Sequence, residues 1–254
     1  MIDSHAHLDL ADFDHDRAEL FNAMALKGIN SALIPAISEQ HWENQLAIAQ
    51  QYHCYFALGI HPWYVPEDIN ASLVSLENML AKHAVKDRLV AVGECGLDKL
   101  KPDFDRQQQL LSGQLKIAIN MEYPVILHGV KCHQELLSLL NRFPNPKGGV
   151  IHGFYGAPEL ASRYIELGYK LGIGGLLLNP KAKKLRKTIT ELDIKHFIIE
   201  TDSPSMTPYN ATEKRNTPLI LPNVASEIAN LQKKTTVFIL ERLNKNFSQL
   251  FELS

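Results

Sequence analysis

Along this chain, short runs rich in β-branched and aromatic residues alternate with longer stretches whose apolar side chains recur every three or four positions. The short runs predict strands at residues 2–7, 29–36, 55–61, 89–94, 124–128, 149–152, 169–173 and 197–201. The stretches between them predict helices. At 105–121, for example, Leu110, Leu111, Leu115, Ile117, Ala118 and Met121 share one helical face. Strand–helix units repeated eight times in 254 residues are what a (β/α)8 TIM barrel of the α/β class requires, with apolar strands covered by helices as a parallel sheet needs. A doubly wound open sheet is the alternative. No Pro-, Gly- or Ser-rich linker divides the chain, so residues 1–254 read as a single domain.

Composition is that of a globular protein, 45% hydrophobic and 21% charged, with enough length for a substantial core. A net charge of -2 excludes a globally basic nucleic-acid binder. The dense basic stretch Lys181, Lys183, Lys184, Arg186 and Lys187 reads as the solvated face of a helix. Cys54, Cys95 and Cys132 are odd in number, far apart and without CxxC spacing, which supports neither a disulfide framework nor a structural zinc site. No apolar run reaches membrane-spanning length, and the first polar motif begins at Asp3, leaving no room for a signal peptide. A cytoplasmic protein is expected, with no membrane contact and no obligate protein partner evident.

Chemistry enters where the predicted strands end. In Asp3-Ser-His5-Ala-His7-Leu-Asp9 two imidazoles lie at i and i+2, on one face of an extended segment. His61 follows the third strand, Glu94 the fourth, His128 the fifth, His152 the sixth and Asp202 the eighth. Each alone has an ordinary explanation, as a hydrogen-bonded core histidine or a helix N-cap. Together, five histidines and two carboxylates at the C-terminal mouth of a barrel, where the active sites of this fold form, are expensive to desolvate unless a cation organises them. Mixed imidazole and carboxylate donors suit zinc, manganese, cobalt or iron better than magnesium.

Across Asp3-Ser-His-Ala-His-Leu-Asp9, Gly59-Ile-His-Pro62, Gly93-Glu-Cys-Gly-Leu-Asp98, Ile151-His-Gly-Phe-Tyr-Gly156, Glu200-Thr-Asp-Ser-Pro204 and Arg215-Asn-Thr-Pro218, the chain resembles the TatD family of metal-dependent deoxyribonucleases in the amidohydrolase superfamily, and within it the bacterial YjjV-like branch. The resemblance implies two divalent metal ions, zinc first, with magnesium or manganese as alternatives. His5, His7, Glu94 and Asp202 would hold one, and Glu94, His128 and His152 the other, with Glu94 as the catalytic bridge. Metal-held water has its pKa lowered toward neutrality, and Asp202, able both to ligate and to accept a proton, is read as the general base. His61 falls outside the implied ligand sets and is read as a hydrogen-bond donor to the scissile phosphate, or else as packing. Trp63 either stacks on a base or packs its loop on the rim.

Two positions depart from the family pattern. Where members commonly carry Arg two residues after the fifth-strand histidine, this chain has Val130, and the neighbouring Lys131 supplies charge without the bidentate fork of a guanidinium. The usual aromatic segment after Gly-Leu-Asp is replaced by Lys99-Leu100. The leading expectation is a phosphodiesterase acting on DNA. Hydrolysis of a small amide, lactone or phosphoester is the alternative, and a non-catalytic metal-binding scaffold a third reading that predicts a lost ligand. A glutamate at the bridging position, where many hydrolases of the superfamily use a modified lysine, favours the deoxyribonuclease branch. His15, His41, His53, His83, His133 and His196 read as surface or packing residues.

Overall fold

The apolar runs become the staves of a parallel barrel in the computed structural model, which describes residues 1–83, 88–209 and 211–253. Its strands are β1 (Ile2–Asp3), β2 (Ser31–Pro35), β3 (Tyr55–Leu58), β4 (Leu89–Asp98), β5 (Val125–Val130), β6 (Gly149–Ile151), β7 (Tyr169–Ile173) and β8 (Phe197–Ile199). The helices among the described residues are α1 (Arg17–Leu26), α2 (Trp42–Gln51), α3 (Ile69–His83), α4 (Phe104–Asn120), α5 (His133–Arg142), α6 (Pro158–Glu166), α7 (Lys183–Glu191), α8 (Leu221–Gln232) and α9 (Thr236–Leu250). Strands lie in sequence order and pair in parallel from β1 to β8. The ring closes just beyond the regular strands. Ser4 N–H donates to Ile199 O at 3.0 Å, Asp202 N–H to His5 O at 2.8 Å and His7 N–H to Ser203 O at 2.8 Å. An open sheet has no such seam, so the doubly wound alternative falls.

Most predicted strands are trimmed at their ends, as expected where the ladder gives way to loops. The first prediction, 2–7, is shortened to Ile2–Asp3 because the following residues alternate bonds between two neighbours instead of forming one ladder. The fourth, 89–94, is extended to Asp98: the register shifts between Val92 and Cys95, and pairing resumes with β5 as far as Asp98 opposite Val130.

Leu33, Ala57, Val90, Ala91, Ile126, Val150 and Ile198 fill the barrel interior, and Phe247, Leu250 and Phe251 from the end of the chain pack against that layer. The polar strand ends therefore sit above a dry floor. Where strand ladders end, buried amides from the helices take over the orphaned backbone groups. Gln45 Nε2 on α2 donates to Ile34 O and Ala57 O, both at 2.8 Å. On α4, Gln107 and Gln114 face the sheet two turns apart. Asp98 N–H donates to Gln107 Oε1 at 2.8 Å while Gln107 Nε2 donates to Asp98 O at 3.1 Å. Ile60 N–H donates to Gln114 Oε1 at 2.8 Å, and Gln114 Nε2 returns a bond to Ile60 O at 2.9 Å. No helix among the described residues is long and apolar enough to cross a membrane.

Gln114→Met keeps the volume but strands both polar groups of Ile60, each of which costs about 1–3 kcal/mol when left buried and unpaired. Urea unfolding of chelator-treated protein should show a lower midpoint with an unchanged slope, whereas an unchanged midpoint would remove the clamp from the stability of the fold.

Candidate metal centre at the barrel mouth

Each strand end delivers a side chain into the space above the apolar floor. His5 and His7 flank Ala6, whose N–H donates to Leu33 O at 3.0 Å while Ala6 itself bridges to Ser203. Bonded on both sides, the segment stays extended and its two imidazoles share a face. Beneath them the buried Asp3 carboxyl accepts from Thr201 Oγ1 at 2.6 Å, Thr201 N–H at 3.1 Å and His5 N–H at 3.2 Å, and burial pushes its pKa up to about 8. Glu94 rises from β4 and His128 from β5, while His152 follows β6. Asp202 follows β8 with φ of 56°, a left-handed conformation that aspartate tolerates better than most residues.

These side chains converge as two clusters on the two oxygens of Glu94. Around Oε2, His5 Nε2 lies at 3.0 Å and His7 Nε2 at 3.5 Å. The two nitrogens are 3.3 Å apart, and Asp202 Oδ1 is 3.5 Å from each. Around Oε1, His128 Nδ1 and His152 Nε2 both lie at 3.0 Å and His61 Nε2 at 3.3 Å, with the first two nitrogens 3.2 Å apart. Tetrahedral zinc bonds of about 2.0–2.1 Å set neighbouring ligand atoms about 3.3–3.4 Å apart. Both clusters match that spacing, and their donor atoms are those zinc prefers.

The charges fit as well. Burial opposes ionisation of Glu94, but His152, His61 and His5 and the hydrogen bond with His128 outweigh it and hold the carboxyl well below its usual range. Asp202 is likewise lowered against burial, by its hydrogen bond with His7. The opposing shifts fall on one histidine of each cluster. Burial works against charge on His7, yet Asp202 and Glu94 push it up to about 10; the same opposition is overcome at His152 by Glu94 and Glu200, while burial lowers His5 and His61. Each cluster thus demands a positive charge, which is the demand a cation meets.

Two residues that the sequence reading passed over stand behind the clusters. Asp98 Oδ2 is 3.7 Å from His128 Nε2, and Glu200 Oε1 is 3.7 Å from His152 Nδ1 while accepting the Gly153 N–H at 2.5 Å. A Cβ on Gly172 would fall 2.0 Å from Glu200 Oε2, so the glycine leaves that carboxylate its space. The signal was in the motifs, since Asp98 closes Gly93-Glu-Cys-Gly-Leu-Asp98 and Glu200 opens Glu200-Thr-Asp-Ser-Pro204. His61, read as lying outside the ligands, has its Nε2 among the second cluster. Trp63 is anchored by Nε1 donating to Asp98 Oδ2 at 2.7 Å but remains 54% exposed, with Lys101 Nζ 4.2 Å from its ring centre.

The cavity above the clusters, about 140 Å³, is lined by His7, Leu10, Ile37, His61, Trp63, Tyr64, Glu94, His128, His152, Asp202 and Ser205. Lys131, expected to supply charge to a substrate, does not line it: the side chain is exposed past the end of β5. Among the described residues the other histidines join no ligand cluster. His41 pairs with Ser38 Oγ at 2.7 Å and His133 with the Tyr164 hydroxyl at 2.9 Å. The Arg215-Asn-Thr-Pro218 motif is a clasp. Arg215 forms a two-pronged ion pair with Asp16, and Asn216 Nδ2 donates to Thr201 O at 2.8 Å, which ties the loop after β8 to the segment before α1. The basic run lies along α7 with Lys181, Lys183, Lys184 and Lys187 exposed and Arg186 paired with Glu227 at 2.6 Å.

Comparison with known proteins agrees with this architecture. The chain is 36% identical to the metal-dependent hydrolase YjjV of Escherichia coli (strain K12) over 99% of its own length and 98% of that protein. It is 28% identical to the 3'-5' ssDNA/RNA exonuclease TatD of Pantoea ananatis, with all of both chains covered. The crystal structure of Escherichia coli YjjV, a TatD homologue, superposes with a TM-score of 0.94 at 35% identity, covering 100% of this chain and 98% of that one. The family model for TatD related DNase matches residues 2–252, and the chain belongs to this family of metal-dependent hydrolases.

Proposed function

We propose that the chain is a two-metal phosphodiesterase acting on DNA, with residues 1–254 forming one catalytic domain. The observation that carries the reading is Glu94, whose two oxygens each face a separate set of ligand atoms. His5, His7, Glu94 and Asp202 would hold one zinc ion and Glu94, His128 and His152 the other. A cation pair bridged in this way supplies Lewis-acid activation of water and of the phosphoryl oxygens. Asp202, at the open side of its cluster, takes the proton from the attacking water. His61, within the second cluster but lining the cavity, donates to the phosphate. Trp63, Tyr64, Tyr155 and Tyr209 are all exposed on loops at the mouth, an arrangement that favours unpaired bases able to stack on them. The Pantoea ananatis relative, named as an exonuclease of single-stranded DNA and RNA, supports the same substrate class. Three buried, free cysteines suit the reducing cytoplasm.

A small phosphoester is the second reading. It is favoured by the 140 Å³ cavity, by Val130 in place of a phosphate fork and by Lys131 standing outside the lining. An assay of zinc-loaded protein on single-stranded DNA, duplex DNA, RNA and small phosphodiesters separates the two, and inactivity on every nucleic acid would overturn the first.

Chelator-treated protein should bind about two equivalents of zinc. Because the surrounding carboxylates raise the pKa of His7 and His152 and so favour their protonated forms without metal, binding should release protons, and affinity should weaken as pH falls. Calorimetry in buffers of different ionisation enthalpy reads the released protons directly. Saturation at one equivalent, or heats independent of buffer, would remove the bridging role of Glu94.

Asp202→Asn retains size and one ligating oxygen but cannot accept the proton. Turnover of zinc-saturated protein should drop by about 10²–10⁴-fold with little change in KM, the range for a lost general base. Near-normal turnover would assign proton transfer to another group.

Val130→Arg should restore a forked phosphate contact worth about 1.5–3 kcal/mol, seen as tighter binding and faster cleavage of DNA. If the substrate is instead a small phosphoester, the same change should produce no gain in DNA cleavage.

A further inference from the structure

We propose that Asp98 is a positioning residue that fixes the ring of His128 and joins this ligand to Trp63 at the rim of the site. Asp98 is 2% exposed and its two oxygens do separate work. Oδ1 accepts the Leu100 N–H at 2.9 Å, which orients the carboxylate. Oδ2 accepts the Trp63 indole N–H at 2.7 Å and lies 3.7 Å from His128 Nε2, a buried nitrogen with no hydrogen-bond partner of its own. The opposite ring nitrogen, Nδ1, is the one aimed at Glu94 and His152. For Nδ1 to offer a lone pair to a metal, the ring proton must reside on Nε2, and a carboxylate facing Nε2 favours that tautomer and holds the ring plane. The same oxygen anchors an indole that is otherwise half exposed at the cavity edge. Charge gained by His128 on metal binding is therefore felt at Trp63 through a single shared atom.

The inference rests on the reading that His128 holds a metal, and the test separates the two. Zinc is titrated into chelator-treated Trp42→Phe protein, so that Trp63 is its remaining tryptophan, with calorimetry and indole emission followed together. This parent should bind two equivalents and change its emission as the second-cluster site fills. Adding Asp98→Asn should weaken one of the two zinc sites by about 10–100-fold, the usual effect of losing an outer carboxylate partner, leave the other site unchanged and abolish the emission response. Nitrogen-15 NMR of zinc-loaded wild-type protein should place the His128 proton on Nε2, a readout that does not depend on the variant folding. Failure of the parent to bind a second zinc would remove the metal reading itself. Two normal zinc sites in Asp98→Asn, a retained emission response, or a proton on Nδ1 would each overturn the role of Asp98.

Discussion

One buried carboxylate sets the terms for everything above the barrel floor. Glu94 is 2% exposed, and taking its charge out of water is costly unless positive charge meets it on both sides. Five imidazoles surround it, His5 and His7 at one oxygen and His61, His128 and His152 at the other. Their nitrogens face the carboxylate and one another at 3.0–3.5 Å, a spacing that the ligands of a shared cation also adopt. The raised pKa values of His7 and His152, one at each oxygen, mark where positive charge is favoured.

Just beyond Glu94, β4 runs beside β5 in a backbone conformation that needs glycine. Gly96, with φ of 147°, permits it, since a Cβ there would fall 2.1 Å from His128 O. The glutamines of α4 then hold the neighbouring strand ends from behind, at Asp98 and at Ile60 beside His61. The precision of the centre thus comes from backbone contacts that carry no chemistry of their own.

The strand pattern was legible because every strand of a parallel barrel is apolar on both faces, and the eight runs were found in order. The strand ends were less so. Glu94 reads as a terminus because a charge interrupts an apolar run, yet β4 continues to Asp98, the charge pointing inward where the opposing histidines solvate it. His5, His7, Glu94, His128, His152 and Asp202 were singled out together because each closes a predicted strand, and the structure does bring them within bonding distance of one another. The place of His61 at the second cluster was not legible, since sequence gives its strand end but not how far its side chain reaches. Asp98 and Glu200 were missed because a residue that acts through another leaves no spacing of its own. Lys131, expected to offer charge to a substrate, stands exposed past the end of β5 and outside the cavity lining, a placement that spacing alone does not give.

The seam of the barrel has a consequence for how the chain is made. The first cluster draws His5 and His7 from the start of the sequence and Asp202 from beyond its last strand, and the same segments close the ring through Ala6 and Ser203. During synthesis the two histidines emerge well before Asp202 and wait for most of the barrel to follow. A nascent or truncated chain that stops before Asp202 has neither a closed seam nor a complete first cluster. The cluster is therefore assembled only when the segment beyond the last stave is in place, so closing the ring and gathering these side chains are one event.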